Sequence, residues 1–335
     1  MSEKKNLIAL NNIGALTHAI DLMMEEDETV VLWGQDAGFE GGVFRATEGL
    51  QKKYGEQRVW DTPIAEAAMM GVGVGAAISG LKPIVEMQFQ GFSYPAFQQL
   101  MTHAARYRNR SRGRFTCPLV LRMPMAGGVR ALEHHSEAIE ALYAHIPGIK
   151  VVMPATPYDT KGLLIAALKD PDPVVFLEPK SIYRSFKQEI PAEIYEVEIG
   201  KANVLKEGKD LTIVTYGKQV HDCLAALKEL HQTNPEWDIE LIDLRTIKPI
   251  DTETIINSVK KTGRLLVVHE AVKSFSVSAE IITRVNEKAF EYLKAPLTRL
   301  TGWDITVPLA RGEKYHALDV EKVKVKIQEL MNFKF

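Results

Sequence analysis

The sequence predicts an α/β protein built from two doubly wound domains. Short apolar runs of strand length alternate with longer segments of helical periodicity, which predicts mainly parallel sheets covered by helices on both faces. This alternation occurs twice and lapses at residues 186–200, where charged residues and a proline replace it. We therefore expect a first domain over residues 1–185, a linker over 186–200 and a second domain over 201–335.

Each apolar run in the first half is followed by a helical pattern. The expected strands cover residues 29–33, 58–60, 83–87, 118–122, 149–153 and 173–178. The expected helices begin near Asn11 or Asn12, Thr47, Thr62-Pro63, Pro95, Ser136 and Pro157. For the third helix, Thr62 is a good capping residue, and Pro63 suits a first helical position because its missing N–H is not needed there.

The second half repeats the pattern with different side chains. Its expected strands cover residues 211–216, 238–243, 264–269 and 298–300, and its expected helices cover 221–231, 252–260, 278–292 and 320–331. It contains no carboxylate-bearing glycine-rich helix and no aromatic turn. The candidate functional residues therefore lie in the first half.

Composition excludes several classes of function. The net charge of -2 gives no electrostatic basis for binding nucleic acid or an anionic membrane. Residues 106–114 carry five arginines but no nucleic-acid motif, so we expect them to meet acidic protein surface or another subunit. Cys117 and Cys223 lie far apart and suit a reducing compartment. With no signal peptide or membrane-spanning run in the sequence, we expect a cytoplasmic protein.

Glu66 is the first candidate for chemistry. It begins an apolar segment that leads into the glycine-rich run 71–80. A carboxylate in such a segment must be solvated, paired or directed at a ligand. The alternative is a carboxylate that only complements the dipole at the start of its helix. The residues alone leave both interpretations open.

The glycines behind Glu66 formally match a dinucleotide-binding fingerprint, Gly71-x-Gly73-x-x-Ala76. That fingerprint should follow a strand directly and open a helix, with an acidic residue about twenty positions later. Here the glycines fall inside the predicted helix, and Gln90 stands near the position of the acid. A nicotinamide or flavin site is therefore disfavoured, and we interpret the glycines as a face that lets another helix approach closely.

Several motifs in order resemble the β subunit of the thiamine-diphosphate-dependent 2-oxo acid dehydrogenases, the E1 component. They are residues 41–50, 61–66, 86–89, 135–136, 147–152, 243–246, 261–264 and 295–296. Residues 183–189 are most similar to the bacterial pyruvate dehydrogenase branch. Branched-chain 2-oxo acid and acetoin dehydrogenases are the alternatives within this family. The alternative from a different class of function is a subunit that takes part in assembly and has no catalytic role.

The resemblance implies a role for each candidate residue. Glu66 would be catalytic and would bind the cofactor through a pyrimidine nitrogen of thiamine diphosphate, and Phe92 would pack on the same ring. His135 would face the reacting carbon and assist acyl transfer to a lipoyl group; its neighbour His134 is the less favoured alternative. Gln35 stands where the family usually has an acid, so a hydrogen bond near the cofactor is expected to differ.

The resemblance also implies partners. The sequence lacks the Gly-Asp-Gly segment with which thiamine enzymes hold Mg²⁺. An α subunit would supply it in an α2β2 heterotetramer that acts on pyruvate. The acyltransferase E2, with its lipoyl domain, would accept the acyl group, and the second domain would mediate β–β contact and docking of the E2 core. A monovalent cation such as K⁺ is expected at the positions Leu119, Ala167, Asp170 and Asp172.

Overall fold

The structure, a computed structural model, describes residues 6–334. Its strands are β1 (Leu7–Leu10), β2 (Val30–Gly34), β3 (Val59–Asp61), β4 (Lys82–Glu86), β5 (Val120–Met125), β6 (Lys150–Val152), β7 (Val174–Pro179), β8 (Gln188–Pro191), β9 (Asn203–Lys206), β10 (Leu211–Thr215), β11 (Ile239–Asp243), β12 (Thr246–Lys248), β13 (Leu265–Val272) and β14 (Thr298–Gly302).

Helices connect most of these strands. They are α1 (Asn12–Glu26), α2 (Leu50–Tyr54), α3 (Glu66–Ile78), α4 (Tyr94–Thr102), α5 (Tyr107–Arg110), α6 (Glu140–His145), α7 (Pro157–Lys169), α8 (Gln219–Thr233), α9 (Thr252–Thr262), α10 (Val277–Ala289), α11 (Glu313–His316) and α12 (Val320–Met331). The predicted α/β class is confirmed.

The first sheet has the order β12-β6-β7-β5-β4-β2-β3. Its strands pair in parallel except β12, which joins the β6 edge antiparallel although it belongs to the second half of the chain. The second sheet has the order β14-β13-β10-β11-β9, with only β9 antiparallel. Sequence reasoning missed the antiparallel strands β1, β8, β9 and β12, because they are short and lack the long apolar runs that mark the central parallel strands.

The apolar cores follow from the alternation of side chains along each strand. In β2, Val30 and Leu32 face the core formed with α1 and α7, whereas Val31 and Trp33 face the core formed with α3 and α4. This second core continues without a break into residues of β10, β13, α9 and α10. The two halves of the chain therefore share one hydrophobic core, and a further core lies under α8 and α12.

Residues 186–200, expected to be a linker, contain strand β8. It pairs antiparallel with β1, so that Leu7 lies opposite Pro191. Val197 is buried in the core beneath α7. The segment is thus held by β1 and packed against α7 along part of its length. The domain limits themselves, 1–185 and 201–335, stay a prediction.

Helix α3 begins later than the sequence indicates. The N–H of Thr62 bonds to the carbonyl of Gly34 at 3.0 Å, which continues the pairing between β3 and β2 past the end of β3. The hydroxyl of Thr62 caps no N–H group and has no hydrogen-bond partner. The first turn closes with Met69 N–H donating to the Ala65 carbonyl at 2.9 Å. The predicted start at Thr62-Pro63 is wrong, because the chain there is still bonded to the sheet.

The glycines of α3 face the sheet as well as another helix. A Cβ at Gly73 would lie 2.9 Å from side-chain atoms of both Leu119 and Val85, so this glycine lets the helix settle onto the sheet. Gly71 faces Gln99 of α4 at ordinary contact distance, and Gly75 meets open space. Helix α3 therefore packs closely on the sheet at Gly73, and it also packs along another helix, α4, which faces Gly71.

Candidate active site

The candidate residues lie at the carboxyl edge of the first sheet. Gln35 follows β2, Glu66 follows β3, Phe92 follows β4 and His135 follows β5. The strands β3, β2, β4 and β5 are neighbours in that order and run parallel, so their carboxyl ends share one edge. In open α/β sheets this edge is where ligands bind.

Glu66 is the first residue of α3 and is half-buried. Its Oε1 accepts a hydrogen bond of 3.0 Å from Nε2 of Gln35, whose side chain is 5% exposed. Within residues 6–334, the second carboxylate oxygen of Glu66 has no hydrogen-bond donor. One oxygen of Glu66 is thus oriented by the protein, and the other is free for a donor on a ligand.

His135 lies against two aromatic rings. Its imidazole centroid is 4.7 Å from that of Phe89 and 5.0 Å from that of Phe92, in both cases edge to face. Its Nδ1 is buried without a hydrogen-bond partner. An unpartnered buried nitrogen is costly unless a ligand or water reaches it. The structure therefore brings Phe92 and His135 together, with Phe89 between them and the sheet.

His134 is held differently. Its Nε2 lies 2.6 Å from the carbonyl oxygen of Gly91, and since a carbonyl only accepts, Nε2 carries the proton and donates it. A Cβ on Gly91 would overlap the carbonyl of His134, so Gly91 is required for this approach. The two histidines sit in a short 3₁₀ turn (Glu133–His135), and the following helix begins only at Glu140.

The structure does not bring Glu66 and His135 into contact. They follow strands β3 and β5, which are separated by three inter-strand spacings, or roughly 14 Å. Phe89 and Phe92 follow β4, which lies between these two strands. The edge therefore presents a carboxylate and an imidazole on either side of an aromatic surface, an arrangement that fits a flat heteroaromatic ligand.

Beneath this edge lies a buried ion network that sequence reasoning missed. Arg122 of β5 bonds to Glu86 of β4 at 2.6 Å and to Glu178 of β7 at 2.7 and 3.0 Å. The hydroxyl of Tyr183 also donates to Glu178. Burial raises the pKa of the Glu86 carboxyl, while the Arg122 charge lowers it. The available signal was one charged residue near the end of each apolar strand.

The four expected cation-site positions lie at the opposite end of the sheet. The Asp170 carboxylate accepts hydrogen bonds from the Lys150 ammonium at 2.7 and 2.6 Å, and Asp172 pairs with Arg108 at 2.7 Å. Leu119 precedes β5, and Ala167 lies in the last turn of α7. Both carboxylates thus already face protein cations, and among the described residues no cluster of three or more His, Cys, Asp or Glu could hold a metal ion.

Two family descriptions match the chain. "Transketolase, pyrimidine binding domain" matches residues 9–185, and "Transketolase, C-terminal domain" matches residues 200–323. The chain is 65% identical over 310 residues to the pyruvate dehydrogenase E1 component subunit beta of Mycoplasma pneumoniae, covering 92% of this chain and 94% of that protein. The chain belongs to the family of pyruvate dehydrogenase E1 β subunits. This confirms the resemblance seen in the sequence.

Two further comparisons are with a relative of a different name and with a solved structure. The 2-oxoisovalerate dehydrogenase subunit beta of Bacillus subtilis is 45% identical over 97% of this chain and 99% of its own length. A solved structure described as a split-gene transketolase, an inactive β4 tetramer, matches with a TM-score of 0.77 at 22% identity, covering 97% of this chain and 99% of its own. That structure supports the fold alone. Between residues 6 and 334, no helix has the length and apolar character needed to span a bilayer.

Proposed function

We propose that this chain is the β subunit of a pyruvate dehydrogenase E1 component. Its reaction would be the oxidative decarboxylation of pyruvate, followed by reductive acetylation of the lipoyl group of E2. The observation that carries the proposal is the arrangement at the first sheet's carboxyl edge. There Glu66 and His135 lie on either side of the aromatic surface formed by Phe89 and Phe92. Membership of the E1 β family supports it.

Glu66 and Phe92 would hold thiamine diphosphate. When bound, this cofactor supplies the electron sink for decarboxylation, and the protein supplies orientation and proton placement. The free oxygen of Glu66 would bond a pyrimidine nitrogen, while Gln35 fixes the other oxygen. The half-buried ring of Phe92 would pack on the pyrimidine face.

His135 would act at the transfer of the acyl group. Edge contacts with Phe89 and Phe92 hold its imidazole, and its buried Nδ1 has no hydrogen-bond partner within the protein. An imidazole can donate or accept a proton near neutral pH, which suits acyl transfer to a lipoyl arm. His134 is the weaker candidate because its Nε2 is committed to the Gly91 carbonyl.

The active site would be completed by an α subunit. This sequence contains no Gly-Asp-Gly segment, so Mg²⁺ and the diphosphate would be held by α in an α2β2 heterotetramer. E2 and its lipoyl domain would be the downstream partners, in the cytoplasm. A monovalent cation such as K⁺ would be held mainly by backbone carbonyls near Leu119, Ala167, Asp170 and Asp172, because Lys150 and Arg108 already occupy the two carboxylates.

The test is activity of the chain co-expressed with its cognate α subunit. Pyruvate decarboxylation should depend on added thiamine diphosphate, and Glu66→Gln should lower it by at least about 100-fold because proton placement is lost. Glu253→Gln is the matched control, since Glu253 also lies in the first turn of a helix, α9. Near-wild-type decarboxylation by the Glu66→Gln complex would disprove the role of Glu66.

A second assay separates the role of His135. For His135→Ala, acetylation of a lipoyl domain should fall about 100-fold or more, while decarboxylation measured with an artificial electron acceptor should fall less. His134→Ala is the neighbouring control and should affect both steps alike. Equal, wild-type rates of both steps in His135→Ala would exclude the assignment.

The substrate assignment rests on sequence identity. The chain is 65% identical to the relative named for pyruvate and 45% identical to the relative named for 2-oxoisovalerate. Competition between pyruvate and 3-methyl-2-oxobutanoate in kcat/KM would decide, because a hydrophobic pocket discriminates by methylene groups. A preference for the branched substrate would favour the alternative. A purely structural assembly subunit would show no loss of lipoyl acetylation with Glu66→Ala in an intact complex.

A further inference from the structure

The loop between β5 and α6 is attached at both of its arms. Its base is closed by Ala126 N–H, which donates to the Glu137 carbonyl at 2.8 Å. The second arm carries His135, which packs on the rings of Phe89 and Phe92. The first arm, Gly127 and Gly128, faces away from these rings and toward the second half of the chain.

Two carboxylates from the second half meet the first arm. The N–H of Gly127 donates to Oε1 of Glu270 in β13 at 2.7 Å, and the N–H of Gly128 donates to Oε1 of Glu313, the first residue of α11. Consecutive backbone N–H groups form a concavity that suits an anion. Charge-assisted hydrogen bonds of this kind are among the stronger ones in proteins.

The glycine pair is required for this contact. A Cβ at Gly127 would lie 2.7 Å from the Glu313 carboxylate and 3.0 Å from that of Glu270. Gly128 has a φ of +93°, and a Cβ there would lie 2.6 Å from Ser181. A larger side chain at Gly127 would push the carboxylates away from the backbone donors, whereas one at Gly128 would collide with Ser181 and strain the backbone.

The two carboxylates lie in a buried environment with a nearby lysine. Glu313 is 4% exposed and Lys180 is 3% exposed, so both charges are almost fully buried. Burial lowers the pKa of Lys180 to about 8, and the charges of Glu270 and Glu313 act in the opposite direction. Gln219 donates to the second oxygen of Glu270 at 3.3 Å. The Lys180 ammonium donates to the Met125 carbonyl at 3.4 Å, and the second oxygen of Glu313 is buried without a hydrogen-bond partner, so the Gly128 N–H is the donor that orients the Glu313 carboxylate.

We propose that Glu270 and Glu313 are positioning residues, which hold the 126–137 loop from the second half of the chain and thereby fix the place of His135. This inference rests on the proposed function for the role of His135. It gives the second half a part in the chemistry beyond assembly. Neither carboxylate touches the proposed substrate site; each acts through the backbone of the loop.

The test compares variants of this chain in its complex with the α subunit. In Glu270→Ala and Glu313→Ala, amide hydrogen exchange in residues 126–137 should rise about tenfold, because one charge-assisted hydrogen bond is lost. Acetylation of a lipoyl domain should fall by a similar factor, and decarboxylation with an artificial acceptor should fall less. Glu270→Gln and Glu313→Gln should retain most of both rates, since an amide oxygen still accepts from the N–H groups.

Arg245→Met is the control. It breaks a different contact between the two halves, the 2.7 Å pair with Asp159, away from the loop. It should lower stability, and exchange in residues 126–137 should rise less than in either alanine variant, because the hydrogen bonds to Glu270 and Glu313 remain. Unchanged exchange in both alanine variants would overturn the proposal. So would faster exchange accompanied by lipoyl acetylation no lower than in Arg245→Met.

The outcome can be separated from a failure of the proposed function. If the wild-type complex shows no thiamine-dependent turnover, the proposed function is wrong, and the exchange data alone decide whether the carboxylates hold the loop. The glutamine variants guard against misfolding, because they keep the size and the acceptor atom of each side chain.

Discussion

The carboxyl edges of the two sheets are built alike and used differently. At the first edge, Glu66 and His135 flank an aromatic surface open to a ligand. At the second edge, residues in or just after the last part of each strand contact the first half of the chain. The Tyr216 hydroxyl donates to Glu140 at 2.9 Å, the Arg245 guanidinium pairs with Asp159, and Glu270 accepts from Gly127.

This difference shows that a ligand-binding edge is not a property of the fold alone. Both sheets are doubly wound and mainly parallel, and both edges would be expected to bind ligands. The second edge is instead an internal interface, sealed by polar pairs above a shared hydrophobic core. Function has to be assigned from the side chains at each edge and not from the architecture.

The largest effect is expected from Arg122→Met, which tests what supports the first edge. This variant leaves Glu86 and Glu178 buried without their cation, so the free energy of unfolding should fall by about 3 to 5 kcal/mol. Urea titration followed by the fluorescence of Trp33 and Trp60 would measure the loss in the first sheet. Arg284→Met, which breaks the exposed pair with Glu280, is the control and should cost less than about 1 kcal/mol. Equal losses in the two variants would contradict a supporting role for the network.

Arg245→Met should weaken the internal interface at the second edge. Asp159 is 2% exposed and would lose its cation, while Arg245 retains some contact with solvent. We expect a loss of about 2 to 3 kcal/mol, below the value for a fully buried pair. Faster cleavage by a protease within residues 186–200 would show that the halves separate more readily. Cleavage no faster than in Lys324→Met, whose pairs lie within the second half, would argue against docking by this contact.

Glu140→Gln should change how stability depends on pH. Burial raises the pKa of Glu140 from 4.5 to about 7; the Tyr216 hydrogen bond lowers it, and the Glu270 charge raises it further. The folded chain therefore keeps a proton that the unfolded chain has already released. The stabilisation that comes from keeping Glu140 protonated is fully present below the pKa of this carboxyl in the unfolded chain. It is lost as the pH rises through the pKa of Glu140 in the folded chain.

The measurement is the free energy of unfolding of wild type and Glu140→Gln between pH 5 and pH 7.5. As the pH rises, the free energy of unfolding of the variant should increase by about 2 kcal/mol relative to that of wild type, because glutamine does not titrate. Parallel curves for the two proteins would show that Glu140 ionises normally in the folded chain.

Gln35→Leu is expected to have the smallest effect and sharpens the assignment of the first edge. It removes the donor to Glu66 but no charge, so thiamine-dependent decarboxylation by the α/β complex should fall about five- to tenfold. Gln88→Leu is the matched amide control, since Gln88 donates to exposed Asp36 at 3.1 Å. A loss in Gln35→Leu no greater than in this control would mean that Glu66 is oriented by other groups.

The parts of the fold that depend on local pattern could be predicted from the sequence. Apolar runs such as Val30–Gly34 and Leu211–Thr215 are strands because both of their faces are buried, and the sequence shows this as continuous hydrophobicity. The family motifs placed Glu66, Phe92 and His135 at strand ends on one edge. Their chemical roles stay a prediction.

What depended on distant contacts could not be predicted. The start of α3 depends on the bond from Thr62 to Gly34, which no local propensity encodes. No local pattern marks Glu140 as a buried carboxylate, because its partner Tyr216 lies in the second half of the chain. Gln35 could be seen as a departure from the family pattern, but its partner became clear only when β2 and β3 were placed side by side.

Strand β12 has a consequence for how this protein is made. It pairs with β6, although β9, β10, α8 and β11 of the second half lie between them in the sequence. While the ribosome synthesises the chain from its N-terminus, the β6 edge remains uncovered until β12 has emerged. An uncovered strand edge can pair with another chain. The first sheet therefore cannot be completed until synthesis has continued into the second half as far as β12.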